Sequence, residues 1–169
     1  MKNIKVSVII RTFNESKWIS LCVKKLVEQS IKPSEIILID NNSFDGTKRV
    51  AKSISKKLKV FHYSKKYFPG KMLNFGISKS KGNYILIISA HCIPYNNKLI
   101  ENLLKPLQKD DQICASYSRQ IPLEFSDNST FRDLMLLYGP ESRLQKNDPK
   151  FNNACSLIRK KDWQNNKFN

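Results

Sequence analysis

The chain has 169 residues, the size of a single domain, and is long enough to bury a hydrophobic core without disulfides or a structural metal. Hydrophobic residues make up 40% and charged residues 26%, which excludes wholesale disorder, and no apolar run approaches the roughly 20 residues needed to span a bilayer. Lys and Arg outnumber Asp and Glu by 30 to 14, and this net charge of +16 favours anionic partners: nucleic acid, acidic lipid or phosphorylated small molecules.

The predicted elements alternate between strands and helices along most of the chain. The first strand covers residues 6–10 and follows an N-terminus without the apolar stretch of a signal peptide, which predicts a cytoplasmic protein. Two further runs, 35–39 and 84–88, are also continuously apolar, which is typical of strands covered on both faces of a parallel sheet. The remaining patterns predict strands at 59–63, 113–118 and 154–158, and helices at 18–26, 50–58, 72–77, 97–107 and 131–138.

This alternation predicts the fold class. Strands and helices that alternate with right-handed crossovers give an α/β protein, in which helices cover both faces of a mostly parallel sheet. The periodicity weakens after about residue 122, where polar and turn-forming residues flank one helical stretch. We therefore expect a long excursion before the final strand.

Polar clusters follow three of the predicted strands, at residues 11–15, 40–47 and 89–94. In open α/β sheets, ligands bind beyond the carboxyl ends of the strands. We therefore expect the three clusters to converge on one edge of the sheet and to form a binding site there.

Some of these residues also have an explanation that involves no ligand. Taken alone, Asn14 and Asp45 are better explained as helix caps. Asp40 is different, because it ends a very apolar strand, where a partly buried carboxylate needs hydrogen-bond donors. His91 fits a structural role and a ligand-binding role equally well.

Three segments carry a family resemblance: residues 6–15 (VSVIIRTFNE), 35–47 (EIILIDNNSFDGT) and 74–85 (NFGISKSKGNYI). In this order they resemble the family-2 glycosyltransferases, and the resemblance covers almost the whole chain. It implies a GT-A fold, which is a Rossmann-type αβα sandwich with a mostly parallel central sheet. It also implies sugar transfer from a nucleotide-diphosphate sugar to an acceptor hydroxyl. Residues 118–122 (SRQIP) resemble an element of bacterial enzymes that build surface polysaccharide or lipopolysaccharide.

The resemblance also implies donor-binding residues at the polar edge. Thr12, Asn14 and Glu15 would line the nucleotide pocket. Asp40 would hydrogen-bond the base, and Asn42 and Asp45 would shape the turn after the second strand. Lys71 would reach the diphosphate, and Asn74 would lie at the base of the pocket. The implied set is Thr12, Asn14, Glu15, Asp40, Asn42, Asp45, Lys71 and Asn74.

The fourth strand departs from the family pattern. Family members usually carry Asp-x-Asp there, to hold a divalent metal and the donor ribose, whereas this chain has Ser89, Ala90 and His91. His91 takes the position of the metal ligand and Ser89 that of the ribose-facing carboxylate. A neutral imidazole favours Mn²⁺ over Mg²⁺. Lys71 or Arg119 could instead offset the diphosphate charge, so the sequence leaves the need for metal open.

A second departure concerns the general base. Residues 152–163 resemble the acceptor-side segment that precedes the family's catalytic carboxylate, and we expect that base beyond Asn169. Residues 1–118 are then the donor-binding half, and 119–169 begin an incomplete acceptor-side region. The alternative is a truncated or catalytically lapsed module that only binds a nucleotide sugar.

The expected partners are a nucleotide-diphosphate sugar and a glycan or lipid-linked acceptor. The positive charge is consistent with peripheral contact with anionic lipid at the inner face of the plasma membrane. Nucleic acid is not an expected partner, because the sequence has no helix-turn-helix or aromatic-plus-basic RNA motif.

The cysteines predict neither a zinc site nor disulfides. They are far apart, form no CxxC pair and lie in a chain without an export signal. We expect small buried apolar side chains at all four positions, which are Cys22, Cys92, Cys114 and Cys155.

Overall fold

The computed structural model describes residues 4–55, 57–146 and 151–169. Strands and helices alternate through all of the described elements. The elements are β1 (Val6–Thr12), α1 (Ser16–Val27), β2 (Glu35–Asp40), α2 (Thr47–Ile54), β3 (Leu58–His62), α3 (Pro69–Ser78), β4 (Tyr84–Ser89), α4 (Leu99–Lys109), β5 (Ala115–Tyr117), α5 (Asn128–Leu137), β6 (Cys155–Arg159) and α6 (Lys160–Asn165).

The strands form one six-stranded sheet in the order β3-β2-β1-β4-β6-β5. Strands β1 to β4 run parallel to one another, and β6 is antiparallel to both β4 and β5. The predicted α/β class with a mostly parallel sheet is therefore confirmed. The chain leaves β1 towards β2 on one side and returns to β4 on the other, so the switch point of the topology lies at β1 and β4.

Helices cover both faces of the sheet, as an αβα sandwich requires. Side chains of a strand point alternately to opposite faces, so Val8 and Ile10 pack with α1, α2 and α4, whereas Ile9 packs with α3 and α6. All three are fully buried. Burial on both faces is the physical reason why these strands are continuously apolar rather than alternating.

Helix α3 lies very close to the sheet at Gly76. A Cβ atom there would be 2.8 Å from Cγ2 of Ile9 and 2.9 Å from Cγ1 of Ile39, both closer than carbon atoms can pack. This close approach fixes the distance between α3 and the central strands.

Several predicted boundaries are wrong at the edges of the elements. The second helix ends at Ile54, and Leu58 begins β3 instead of closing that helix. Helix α6 follows β6 directly and is absent from the predicted elements. Local periodicity did not find these boundaries for two reasons. Helix α2 is short and β3 begins soon after it ends, and α6 has only six residues and follows β6 directly.

Buried Arg159 explains how the antiparallel strand is fixed at the end of α4. Its guanidinium donates to the backbone carbonyls of Leu107, Asp110 and Ile113, which lie at or just after the C-terminal end of that helix. It also lies 3.6 Å from the carboxylate of Asp162. A single side chain therefore connects β6, α4 and α6.

All four cysteines are free, as predicted, but their burial differs. Cys22 and Cys155 are buried, and burial raises the pKa of both thiols. Cys92 is half-buried and Cys114 is exposed, so the expectation of four buried side chains is wrong for these two.

Helix α5 packs loosely against the rest of the described chain. It has no buried residue, and Phe131, Leu136 and Leu137 are all more than half exposed.

Among the described residues, no helix combines the length and apolar character needed to cross a membrane.

Candidate functional site

The three polar clusters are neighbours at the carboxyl ends of the parallel strands. Thr12 is paired in register with Asp40 on β2, and the adjacent Arg11 is paired with Ser89 on β4. The expected convergence on one edge is therefore present, and it lies at the switch point of the sheet.

Backbone and side-chain hydrogen bonds connect the loop after β1 to the turn after β2. The Asn14 N–H donates to Oγ of Ser43 (2.9 Å), and the Phe44 N–H donates back to Oδ1 of Asn14 (3.0 Å). The Glu15 N–H donates to Oγ1 of Thr47 (2.8 Å). Asn14 therefore joins two loops rather than capping α1, whose N-cap residue is Glu15.

Asp45 fixes the starts of two helices at once. Its carboxylate accepts from the backbone N–H of Ser16 (2.8 Å) and from that of Thr47 (3.0 Å). Desolvation alone would raise the pKa of Asp45, but the hydrogen bonds from Thr47 and Ser16 outweigh it and hold the pKa well below its usual range. Gly46 follows with a φ of 87°, a conformation that favours glycine. Asp45 therefore accepts from the first N–H of both helices, as the capping prediction requires, although the N-cap residue of α2 itself is Gly46.

Asp40 is completely buried at the end of β2. Its Oδ2 accepts from the backbone N–H of Ser43 (3.1 Å) and lies 3.4 Å from Nζ of Lys48. Among the described residues, its Oδ1 has no hydrogen-bond partner, and neither has the buried Oγ1 of Thr12 on the adjacent strand. Five other buried side-chain atoms of the described residues are also unpartnered, but only these two belong to residues paired at the ends of β1 and β2. Buried polar atoms rarely remain without a partner in native proteins, so two such atoms side by side indicate a place where a ligand or water binds.

His91 lies in the loop after β4 and contacts Glu15 from the loop after β1. The distance from Nδ1 of His91 to Oε1 of Glu15 is 2.8 Å. The His91 side chain is 58% exposed and that of Glu15 is 20% exposed, so the pair faces the open edge. The residues that the structure describes contain no cluster of three or more His, Cys, Asp or Glu that could hold a metal ion.

A basic cavity of about 400 Å³ lies beside this edge, between the end of β3 and helix α3. Lys65 and Lys71 supply its positive charge, and Nζ of Lys71 also lies 5.0 Å from the ring centre of Phe68. Such a cavity can bind an anion without a metal. Its lining residues are His62, Tyr63, Ser64, Lys65, Lys71, Asn74 and Phe75.

Asn74 lines the cavity, but its side-chain hydrogen bonds go elsewhere. Its Oδ1 accepts from Nε1 of Trp163 (2.8 Å) and from the Phe168 N–H (3.1 Å), and its Nδ2 donates to the Phe168 carbonyl. In these contacts Asn74 connects α3 to α6 and the segment after it. Its implied role in binding the donor stays a prediction.

The other implied residues lie in different surroundings. Ser89 is buried, and its N–H donates to the carbonyl of Ala154 just before β6 (2.9 Å). Asn42 is exposed in the turn after β2, with a φ of 64°. The guanidinium of Arg119 is exposed and lies 3.2 Å from Sδ of Met135 on α5, so this residue contacts the excursion. The donor-binding roles of all three stay predictions.

Sequence reasoning missed residues that the structure places at the edge. His62 ends β3 beside Asp40, and the same rule about strand ends would have found it. Lys48 contacts Asp40 from the first turn of α2, and Thr47 holds the backbone of Glu15. No sequence pattern indicates these contacts, because they depend on how the two loops meet.

An open α/β sheet with buried unpartnered polar atoms at its carboxyl edge and lysines beside that edge has the architecture of the Rossmann-type class, in which ligands bind at this edge. The family comparison agrees with this class and narrows it. The model of the family described as glycosyl transferase family 2 matches residues 7–164, and the chain belongs to that family.

Similar curated proteins are glycosyltransferases. The glycosyltransferase GlyG of Streptococcus pneumoniae serotype 4 is 30% identical over 109 residues, which are 63% of this chain and 36% of that protein. A Methanococcus voltae enzyme, a dolichyl N-acetyl-α-D-glucosaminyl phosphate diacetamido-dideoxy-glucuronosyltransferase, is 31% identical over 58% of this chain and 32% of its own length. The chain thus spans about a third of the length of these two relatives.

Solved structures show the same fold. The mannosyltransferase PcManGT of Pyrobaculum calidifontis, in complex with GDP-Man and Mn²⁺, matches with a TM-score of 0.75 and 17% identity over 98% of this chain and 48% of its own. TarS of S. aureus, in complex with UDP-GlcNAc, matches with a TM-score of 0.73 and 17% identity over 96% of this chain and 47% of its own. The expected GT-A fold is therefore confirmed.

Proposed function

We propose that this chain is the donor-binding part of a glycosyltransferase that moves a sugar from a nucleotide-diphosphate sugar to an acceptor hydroxyl, in the synthesis of surface polysaccharide or lipopolysaccharide. Family membership supports this proposal. The observation that carries it is the pair of buried, unpartnered atoms, Oδ1 of Asp40 and Oγ1 of Thr12, at the carboxyl ends of the paired strands β2 and β1.

The chemistry of Asp40 favours a nucleotide base as its partner. A carboxylate only accepts hydrogen bonds, so Oδ1 needs a donor, and the N–H groups of uracil, thymine or guanine are donors. Ser43 and Lys48 already engage Oδ2 and hold the carboxylate in place. A fixed acceptor of this kind selects a base by its hydrogen-bonding edge.

The basic cavity between the end of β3 and helix α3 suits the diphosphate. Lys65 and Lys71 would offset the negative charge of the diphosphate, both in the bound donor and in the nucleotide diphosphate that leaves. His91 would hold a divalent metal through its imidazole, with Mn²⁺ favoured over Mg²⁺. One imidazole backed by Glu15 fits such a metal only if the donor phosphates and water complete its ligands. When bound, the cation would offset the charge that develops on the diphosphate.

The acceptor side belongs to the same proposal. We propose that residues 1–118 bind the donor and that 119–169 begin the acceptor side, although β6 from the second segment lies between β4 and β5 in one sheet. A glycan or a lipid-linked acceptor is the proposed substrate, as the name of the Methanococcus voltae relative indicates for that enzyme. The net charge of +16 supports peripheral contact with anionic lipid at the inner face of the plasma membrane.

A binding module without catalysis is the second candidate. Two carboxylates after the fifth strand are engaged in structural contacts: Asp127 caps α5, and Asp162 pairs with buried Arg159. A general base must be available to the attacking hydroxyl, and these contacts do not favour such a role.

Calorimetry with UDP-, GDP- and TDP-sugars, each with and without Mn²⁺, tests the proposal. We expect one nucleotide class to bind, and Asp40→Asn to weaken binding by roughly tenfold, because an amide disturbs one charge-assisted hydrogen bond. The control is Asp133→Asn, the same change on exposed α5, which should leave the affinity unchanged. Absence of binding by every nucleotide sugar would contradict both candidates, and transfer to an acceptor would exclude the second.

A further inference from the structure

One contact at the donor edge joins two loops that are distant in sequence. Nδ1 of His91 lies 2.8 Å from Oε1 of Glu15, and the two residues are separated by 76 positions. More than half of the imidazole side chain remains exposed. One ring nitrogen is therefore engaged by the protein while most of the side chain faces solvent.

The backbone that carries Glu15 is itself held in place. Its N–H donates to Oγ1 of Thr47 in the first turn of α2 (2.8 Å). The N–H of the next residue, Ser16, donates to Asp45 in the turn before that helix (2.8 Å). The carboxylate that meets His91 thus projects from a loop anchored at both residues, which limits the positions the imidazole can take.

We propose that Glu15 is a positioning residue for His91: its carboxylate fixes the ring with the proton on Nδ1 and leaves the lone pair of Nε2 for a divalent cation shared with the donor diphosphate. This inference rests on the proposed function. An ionised carboxylate can only accept, so the nitrogen that faces it must be the one that donates. Glu15 then acts through His91, whereas the family resemblance implies that it lines the nucleotide pocket.

Two consequences separate these roles. A carboxylate behind a metal-ligating histidine fixes the tautomer and raises the basicity of the ligand, and its loss typically lowers metal affinity by about 10- to 100-fold. If Glu15 instead touched the nucleotide, its loss would lower the nucleotide affinity in the absence of metal as well. Because the described residues contain no cluster of three potential ligands, the metal effect should appear only when a nucleotide is present.

The first test measures nucleotide affinity with and without MnCl₂ in the full chain, using the nucleotide found by the donor panel. In Glu15→Ala we expect the strengthening by Mn²⁺ to fall by about tenfold or more, and the affinity without Mn²⁺ to stay as in the wild type. Glu15→Gln should retain part of the effect, because its amide oxygen still accepts. Glu28→Ala, the same change at an exposed residue at the end of α1, is the control.

The second test observes the ring directly. The chain has two histidines, so ¹⁵N-histidine spectra are simple, and His62→Gln assigns the signals. We expect His91 to carry its proton on Nδ1 in the wild type and to lose that preference in Glu15→Ala, with circular dichroism confirming that the variant is folded.

Three outcomes would overturn the positioning role: a tautomer that does not change in Glu15→Ala, an undiminished effect of Mn²⁺ in that variant, or a loss of its metal-free nucleotide affinity. Each of these leaves the proposed function intact if the wild type binds a nucleotide sugar. If the wild type binds none, the proposed function is wrong, and the role of Glu15 falls with it.

Discussion

Replacing Gly76 by alanine tests how closely helix α3 packs on the sheet. The new methyl group would lie 2.8 Å from Ile9 and 2.9 Å from Ile39, where an ordinary carbon contact is about 3.5–4.0 Å. Both isoleucines are fully buried on central strands that are hydrogen-bonded on both sides, so the strands cannot move aside. Helix α3 must therefore move outward.

The expected loss of stability follows from two opposing effects. Overpacking of a core typically costs about 1–3 kcal/mol, and two simultaneous clashes place this site in the upper part of that range. Alanine gains about 1 kcal/mol over glycine within a helix. We therefore expect Gly76→Ala to lower the free energy of unfolding by about 2 kcal/mol. The outward shift of α3 also displaces Lys71, so nucleotide affinity should fall as well.

Urea unfolding followed by circular dichroism measures this difference. Gly139→Ala is the matched control, because a methyl group there meets no atom within 4 Å, and its effect should stay within about 0.5 kcal/mol. If Gly76→Ala is as stable as the wild type, or more stable, the argument that close packing requires glycine at this position is wrong.

Three further predictions concern side chains that hold the edge and the antiparallel strand. Arg159→Met should lower the free energy of unfolding by about 3 kcal/mol in urea titrations, because it leaves buried carbonyls at the end of α4 without donors; a loss below about 1 kcal/mol would contradict this. Trp163→Phe should lower the free energy of unfolding in the same titrations by more than the roughly 1 kcal/mol of the lost hydrogen bond to Asn74, because the smaller ring also leaves buried space; a loss below about 0.5 kcal/mol would contradict this. Because the pKa of Asp45 is lowered in the folded state, its stabilisation is complete above the unfolded value of about 3.9 and is lost as the pH falls towards the folded value. Asp45→Asn should therefore be less stable than the wild type at pH 7, with a difference that shrinks below about pH 4, and a constant difference would exclude this linkage.

The sequence by itself determined the layered architecture and the edge of the sheet at which the residues of the candidate site meet. The continuous apolar runs of β1, β2 and β4 require cover on both faces, and the helical periodicities between them supply it. Parallel strands place their carboxyl ends on one edge, so the polar residues after each strand had to meet there. These conclusions depend only on local patterns and on the handedness of the connections.

Only the tertiary structure decided which edge residues touch one another. That β6 enters antiparallel between β4 and β5 depends on contacts such as those of Arg159 with α4, which no local periodicity encodes. The contact between His91 and Glu15 and the hydrogen bond that Trp163 donates to Asn74 join residues more than 70 positions apart. Such pairs form because the packed sheet brings their loops together. The residues that flank each position in the sequence do not indicate which distant residue it will contact.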